Sequence, residues 1–242
     1  MRPIRLILFD LDDTLVHFDD YWEISVKETF TQHDLTSGLD TNEMFAIFEQ
    51  VNARLVEQLD KLQITVEDFR IQRFLHAMAL AGKEADAAMA SDFEQLYQAA
   101  SKRNMKPDSD ANKLIGELQG RYQVGIITNG SKDWQMHKLE AIELNEAIQA
   151  ELLFISGAVG HEKPTREIYQ HIVRATSLQP DQILVVGDSW TNDVAGPMDN
   201  GMQAVWFNKK GKPVPQGHQP LAVIRHLSEL RALLLSSGTE EV

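Results

Sequence analysis

The chain reads as an α/β protein, a doubly wound parallel sheet with an all-helical segment inserted after its first strand. Three observations predict this. Ile4 to Phe9 is a nearly continuous apolar run, as expected of a strand buried on both faces of a parallel sheet. From Asn112 onward, short apolar stretches alternate with amphipathic helical ones. Between these regions, from about Asp19 to Arg103, apolar residues recur only at helical spacing.

In order, the first strand ends in a turn carrying Asp10, Asp12 and Asp13 within four residues. Asp is common in turns, so the bland reading is a solvated turn. Clustered carboxylates repel, however, and holding Asp10 beside Asp12 calls for a cation or a shared proton. Mg²⁺, a hard ion that takes oxygen ligands, suits them. A short helix through Trp22, Val26 and Phe30 follows. A long one carries Met44, Ile47, Phe48, Val51, Leu55, Leu59 and Leu62, with Asp40 and Glu43 as a capping box. Two more stripes follow, Ile71, Phe74, Leu75 and Met78 after the cap Thr65, then Phe93, Leu96, Tyr97 and Ala100. Together they predict a small helical bundle. The predicted division is a core of 1–16 and 106–242 with a helical cap of 17–105.

Past that bundle, Leu114 and Leu118 mark a helix and Gln123 to Thr128 a strand, followed by the turn Asn129-Gly130-Ser131 and a helix through Trp134, His137 and Leu139. Leu152 to Ile155 is a short strand with Gly157 and Gly160 in the loop beyond it. A helix from about Thr165 to Thr176 leads to the strand Ile183 to Val186, and Gly187-Asp188-Ser189 follows at once. A helix to Met202, a last strand Ala204 to Phe207, an exposed loop Lys209 to Pro220 and a closing helix through Leu227, Leu230, Leu233 and Leu234 complete the reading. The tail after Leu235 is expected to fray.

Composition narrows the function. The 242 residues carry a net charge of −13, which argues against a nucleic-acid polymer as partner. With no cysteine, thiol nucleophiles, zinc thiolates and disulfides are excluded. Apolar runs are far too short to span a membrane, and the start lacks a secretory h-region, so the expected compartment is the cytoplasm. The sequence leaves monomer and small homo-oligomer open.

Four strand ends thus carry polar residues toward one rim: Asp10 and Asp12; Thr128, Asn129 and Ser131; the loop before Lys163; and Asp188. These types suit phosphoryl transfer. One carboxylate can attack phosphorus and a second can protonate the leaving alkoxide. A hydroxyl and the N–H groups around Thr128, Asn129 and Gly130 can hold phosphoryl oxygens, while Lys163 neutralises charge developing there.

Taken in order, these segments resemble the four motifs of the haloacid dehalogenase (HAD) superfamily of phosphohydrolases: Asp10-Leu11-Asp12-Asp13-Thr14-Leu15, then Ile126 to Ser131, then Glu162-Lys163-Pro164-Thr165, then Gly187 to Asp193. The resemblance covers about Ile4 to Leu234 and implies a Rossmann-like core with a cap inserted after motif one. It implies Asp10 as nucleophile and Mg²⁺ ligand, and Asp12 as general acid/base with its carbonyl on the metal. Asp188 would be a metal ligand, directly or through water. Thr128 and Asn129 would bind the phosphoryl group. Lys163 would pair with that group and Asp10, and Asp193 would orient Lys163 or a metal-bound water. Asp13 is read as structural. Since relatives that are dehalogenases lack the second acid, Asp12 implies a phosphatase acting on a small-molecule phosphate ester.

Within the family, motifs two and three and the Trp206-Phe207-Asn208 strand end resemble the pyrimidine 5′-nucleotidase-like phosphatases. That likeness implies nucleoside 5′-monophosphates as substrates, with Phe18, Tyr21 and Trp22 either stacking on a base or packing the cap. The alternatives are a sugar-phosphate or phosphoglycolate-type phosphatase, a phosphomutase and, outside enzymes, a receiver-like phosphoacceptor. Trp190 is read as lining the entrance or packing on the sheet, and His161 as a loop-surface residue. The Asn129-Gly130-Ser131 glycosylation pattern is set aside, as are the scattered histidines and the acidic faces of the cap helices.

Overall fold

Leu6, Ile7, Leu8 and Phe9 have no exposed surface, and as β1 (Leu6–Phe9) they take the centre of a six-stranded sheet. The computed structural model describes residues 2–60 and 63–236. Strands β2 (Gln123–Thr128), β3 (Leu153–Ile155), β4 (Ile183–Gly187), β5 (Gln203–Phe207) and β6 (Ala222–Ile224) all run parallel to it, in the order β3-β2-β1-β4-β5-β6. Phe9 is level with Ile126 on one side and Val186 on the other. The chain order reverses across β1, so motifs one, two and four leave the sheet side by side, where open α/β sheets bind ligands.

The chain divides into two compact units, Met1–Phe18 with Lys106–Val242, and Asp19–Met105. In the sheet unit, Leu6, Leu8, Ile127 and Val185 pack against Ile168, Tyr169 and Ile172 of α7 (Arg166–Thr176). Each such burial contributes roughly 1.5–3 kcal/mol. Helix α5 (Ser109–Gln119) buries Ala111, Leu114, Ile115 and Leu118 and is capped by Asp108, whose carboxylate accepts from the Asp110 and Ala111 N–H groups. A glycine is required at 125, because a Cβ there would lie 2.4 Å from the Leu152 carbonyl.

The helical unit contains α2 (Thr41–Asp60), α3 (Val66–Leu80), α4 (Ala87–Asn104) and all of α1 (Phe18–Gln32) but its first residue. Its core is aromatic, with Phe30, Phe48 and Phe93 in mutual contact and Phe74 packed against Phe93. Asp40 caps α2 through the Asn42 and Glu43 N–H groups, and Thr65 with Asp68 forms a complete capping box at α3. Leu62 lies outside the described residues.

Three readings need correction. Ala204 to Phe207 is not the last strand, because β6 pairs with β5 and forms the sheet edge. The helix expected after Ser189 is a wide π-type turn, Trp190–Ala195, running into the short Gly196–Asp199. The closing helix shrinks to Arg231–Leu235, anchored by Leu230 and Leu234. Among the described residues no helix is long and apolar enough to cross a membrane.

Candidate active site

Asp10 follows β1 directly, and its backbone N–H is still held by the sheet at the Val186 carbonyl, 2.9 Å. Its carboxylate is almost fully buried, with one oxygen accepting from Lys163 Nζ at 2.7 Å and the other from Thr14 Oγ1 at 3.1 Å. Lys163 also donates to Asp193 Oδ1 at 2.7 Å and to the Ile127 carbonyl at 3.1 Å. Asp193 is fully buried, and its other oxygen accepts the Ser189 N–H at 3.0 Å. Gly187 makes room for it, since a Cβ there would stand 2.4 Å from Asp193 Cγ. Asp10, Asp188 and Asp193 bring carboxylate oxygens within 4.8 Å of one another.

One ammonium therefore faces three carboxylates. Burial pushes the Asp10 carboxyl from 3.8 up to about 7, Lys163 pulls it back and Asp193 adds to the rise. Burial also raises Asp188 to about 6, aided by the charges of Asp193 and Asp13. For Lys163 burial alone would favour the neutral amine, but the charges of Asp10 and Asp193 outweigh it and hold the group above its ordinary value. The surplus negative charge and the hard oxygen donors fit Mg²⁺. The Asp10 oxygen that accepts from the neutral Thr14 hydroxyl and the Asp188 carboxylate are the groups that would hold it, whereas the fully buried Asp193 is tied by the Lys163 ammonium and by the Ser189 N–H.

The remaining motif residues divide into those near this cluster and those bound elsewhere. Asp12 is fixed from below: one carboxylate oxygen pairs with Lys138, and the other accepts from Gln135 Nε2 at 3.0 Å. Asp13 takes a left-handed conformation, φ 58°, and accepts the Phe18 N–H at 3.0 Å, the structural role read from sequence. Thr128 is buried and its hydroxyl accepts from Gln135 at 3.1 Å. Asn129 points its amide at the Lys163 backbone, donating to the carbonyl at 2.9 Å and accepting the N–H at 2.8 Å. Its side chain secures the lysine loop, not a free anion site. Nor is the Gly130 N–H free for phosphate, because it donates to Ser156 Oγ at 2.9 Å.

The aromatic group after motif one also differs from the stacking option. Tyr21 and Trp22 are buried in the helical unit, where Trp22 stacks on Phe48 at 5.7 Å, meets Tyr97 edge-on at 5.5 Å and has the Arg73 guanidinium 5.0 Å from its ring. The Trp22 ring is taken up by packing. Phe18 is half-buried and belongs to the sheet unit. Trp190 packs edge-on against Trp206 at 4.9 Å, whose indole N–H holds the Asp188 carbonyl at 2.9 Å, and His161 is exposed.

Gln135 and Lys138, on α6 (Lys132–Ala141), escaped the sequence reading, as did Ser156 and Ser189. The one available signal was two long polar side chains three residues apart on the helix after motif two, a pattern shared by any solvated face.

Residues 7–207 match the family model for haloacid dehalogenase-like hydrolases. The chain is 28% identical over 240 residues to the HAD-hydrolase YfnB of Bacillus subtilis, 99% of both chains. A crystal structure of that protein, bound to magnesium and revealing interdomain movement, aligns at a TM-score of 0.79, with 27% identity over 96% of this chain and 99% of the other. Pyrimidine 5′-nucleotidase YjjG of Escherichia coli is 27% identical over 94% of this chain and 96% of its own. N-acylneuraminate-9-phosphatase of Rattus norvegicus is 26% identical over 98% and 96%.

Proposed function

Because this chain belongs to the haloacid dehalogenase-like hydrolase family, we propose that it hydrolyses small phosphomonoesters with Mg²⁺, through an aspartyl-phosphate on Asp10. The observation that carries this is the buried Asp10–Lys163–Asp193 chain beside Asp188. Asp10 and Asp188 carboxylates and the Asp12 carbonyl would hold the ion, which when bound offsets charge on the nucleophile and the phosphoryl oxygens.

The chain's own residues do the rest. Asp10 attacks phosphorus, the ester P–O bond breaks, and protonated Asp12 gives its proton to the departing alkoxide. Asp12, now a carboxylate, takes a proton from water; that oxygen attacks phosphorus, and cleavage of the bond to Asp10 releases phosphate. Thr128 donates its hydroxyl to a phosphoryl oxygen. Lys163 neutralises the charge that builds on those oxygens, held in place by Asp193 and by Asn129. Asp12 also separates this reaction from dehalogenation, in which no alkoxide needs a proton.

The helical unit is assigned as the cap that chooses the ester, in line with the interdomain movement described for YfnB. Nucleoside 5′-monophosphates are proposed as the substrate class, supported by the likeness to YjjG. The likeness to N-acylneuraminate-9-phosphatase favours a sugar phosphate as the second reading. The test measures phosphate released from UMP, dUMP and TMP beside sugar phosphates and phosphoglycolate, with Mg²⁺ and with chelator, and with Asp10→Asn as control. Sugar phosphates outranking the nucleotides would replace the nucleotide assignment. A hexose phosphate isomerised without phosphate release would indicate a mutase, and one-time phosphorylation without turnover a receiver-like acceptor. Full turnover in chelator or in Asp10→Asn would overturn the mechanism.

A further inference from the structure

Asp12 is held by two side chains that none of the four motifs contains. Gln135 and Lys138 are three residues apart on α6, so they present adjacent groups on one face of that helix. Both are buried, at 1% and 5% exposure, whereas the Asp12 side chain they grip is 45% exposed. Each grips a different oxygen, Lys138 taking Oδ1 and Gln135 Nε2 taking Oδ2 at 3.0 Å. The Lys138 ammonium is further confined 5.7 Å over the Trp134 ring. The same amide shares its two N–H groups with Thr128 Oγ1 at 3.1 Å and the Asn129 carbonyl. One glutamine therefore fixes the spacing between the Asp12 carboxylate and the Thr128 hydroxyl.

A half-exposed aspartate would ordinarily sample its staggered rotamers. Here both oxygens are tied to a buried helix face, leaving the remaining lone pairs on the open side. A proton-transfer group a fraction of an ångström out of line loses much of its rate advantage, so a fixed rotamer matters.

We propose that Gln135 and Lys138 are positioning residues for Asp12, setting the orientation from which it delivers a proton to the departing oxygen, with Gln135 locking that orientation to Thr128. This rests on the acid/base role assigned to Asp12 above.

The test exploits leaving groups. A poor one needs the proton and a good one does not, whereas damage to the fold or to phosphate binding slows both alike. The kcat/KM of Gln135→Leu and Lys138→Met is measured with Mg²⁺ on substituted phenyl phosphates, from p-nitrophenyl phosphate to phenyl phosphate. Asp12→Asn serves as the benchmark and Lys138→Arg as the rescue. Both positioning variants should lose about tenfold or more on phenyl phosphate beyond any loss on p-nitrophenyl phosphate, following Asp12→Asn in direction. Lys138→Arg should restore the wild-type slope. Should Lys138→Met not fold, Lys138→Gln and Gln135→Leu give the same reading. Equal losses across the series, or none, overturn the positioning role while leaving the phosphatase intact. An unchanged slope in Asp12→Asn removes the acid role of Asp12 and this inference with it.

Discussion

Replacing Lys163 with Met tests the central electrostatic argument most directly. The substitution keeps most of the side-chain volume but removes the ammonium and three hydrogen bonds, at 2.7, 2.7 and 3.1 Å. Asp10 and Asp193 are then left buried without their shared cation. Breaking a buried charge pair in this way costs about 3–5 kcal/mol. For Asp10, whose carboxyl already lies near 7, losing Lys163 raises it further. A carboxylate with a raised folded-state value takes up a proton on folding, so its contribution is fully present at low pH and is lost as pH rises through that value. Metal-free wild type should therefore lose stability from pH 6 to pH 8. The variant, with its higher value, should lose more, so the gap between them should widen by roughly 1 kcal/mol over that interval. The assay is urea unfolding in chelator at both pH values, followed by fluorescence of Trp134, Trp190 and Trp206, which all lie in the sheet unit. The slope grows with chain size, and at about 3 kcal/mol per molar the expected fall in midpoint at pH 8 is on the order of 1–2 M. A loss under about 1 kcal/mol, or the same gap at both pH values, would refute the argument that Lys163 offsets these buried charges.

Mg²⁺ binding should weaken in acid, because Asp10 at about 7 and Asp188 at about 6 must shed protons to bind it. Titration calorimetry should find affinity falling by up to about tenfold per pH unit between about 7 and 6 and more steeply below about 6, where two protons must leave, and a flat profile would remove these two ligands. Gly187→Ala should push Asp193 out of place, since the new Cβ would overlap its carboxylate at 2.4 Å. A loss of about 1–3 kcal/mol in unfolding, with turnover reduced at least about tenfold, is expected, and an unchanged rate would show that Asp193 is dispensable. Thr65→Ala removes the capping box of α3 and should cost about 1 kcal/mol, read in the thermal melt by helical circular dichroism, with turnover of bound substrate unchanged.

The sheet was legible because a strand buried on both faces has to be apolar throughout, and Leu6 to Phe9 and Ile183 to Val186 are. The acidic turn and Gly187-Asp188 stood out because each directly follows such a run. Strand β6 was hidden, since three residues with only Ile224 buried carry no pattern beside a long polar loop. Trp22 was ambiguous for another reason, because an aromatic residue looks alike in sequence whether its ring meets a ligand or, as here, Phe48 and Tyr97. The grip of Gln135 and Lys138 on Asp12 spans more than 120 positions, and no local periodicity encodes a partner that distant.

The paired bonds between Asn129 and the Lys163 backbone make a side-chain amide act as one extra rung of a β-ladder, continuing past the point where β2 itself stops. Only a group that gives and takes at once can fill that place. Aspartate, though the same shape, would bring two acceptors to a carbonyl that needs a donor. The lysine loop is thus docked by peptide-like chemistry at a position where charge, however well shaped, would undo the dock.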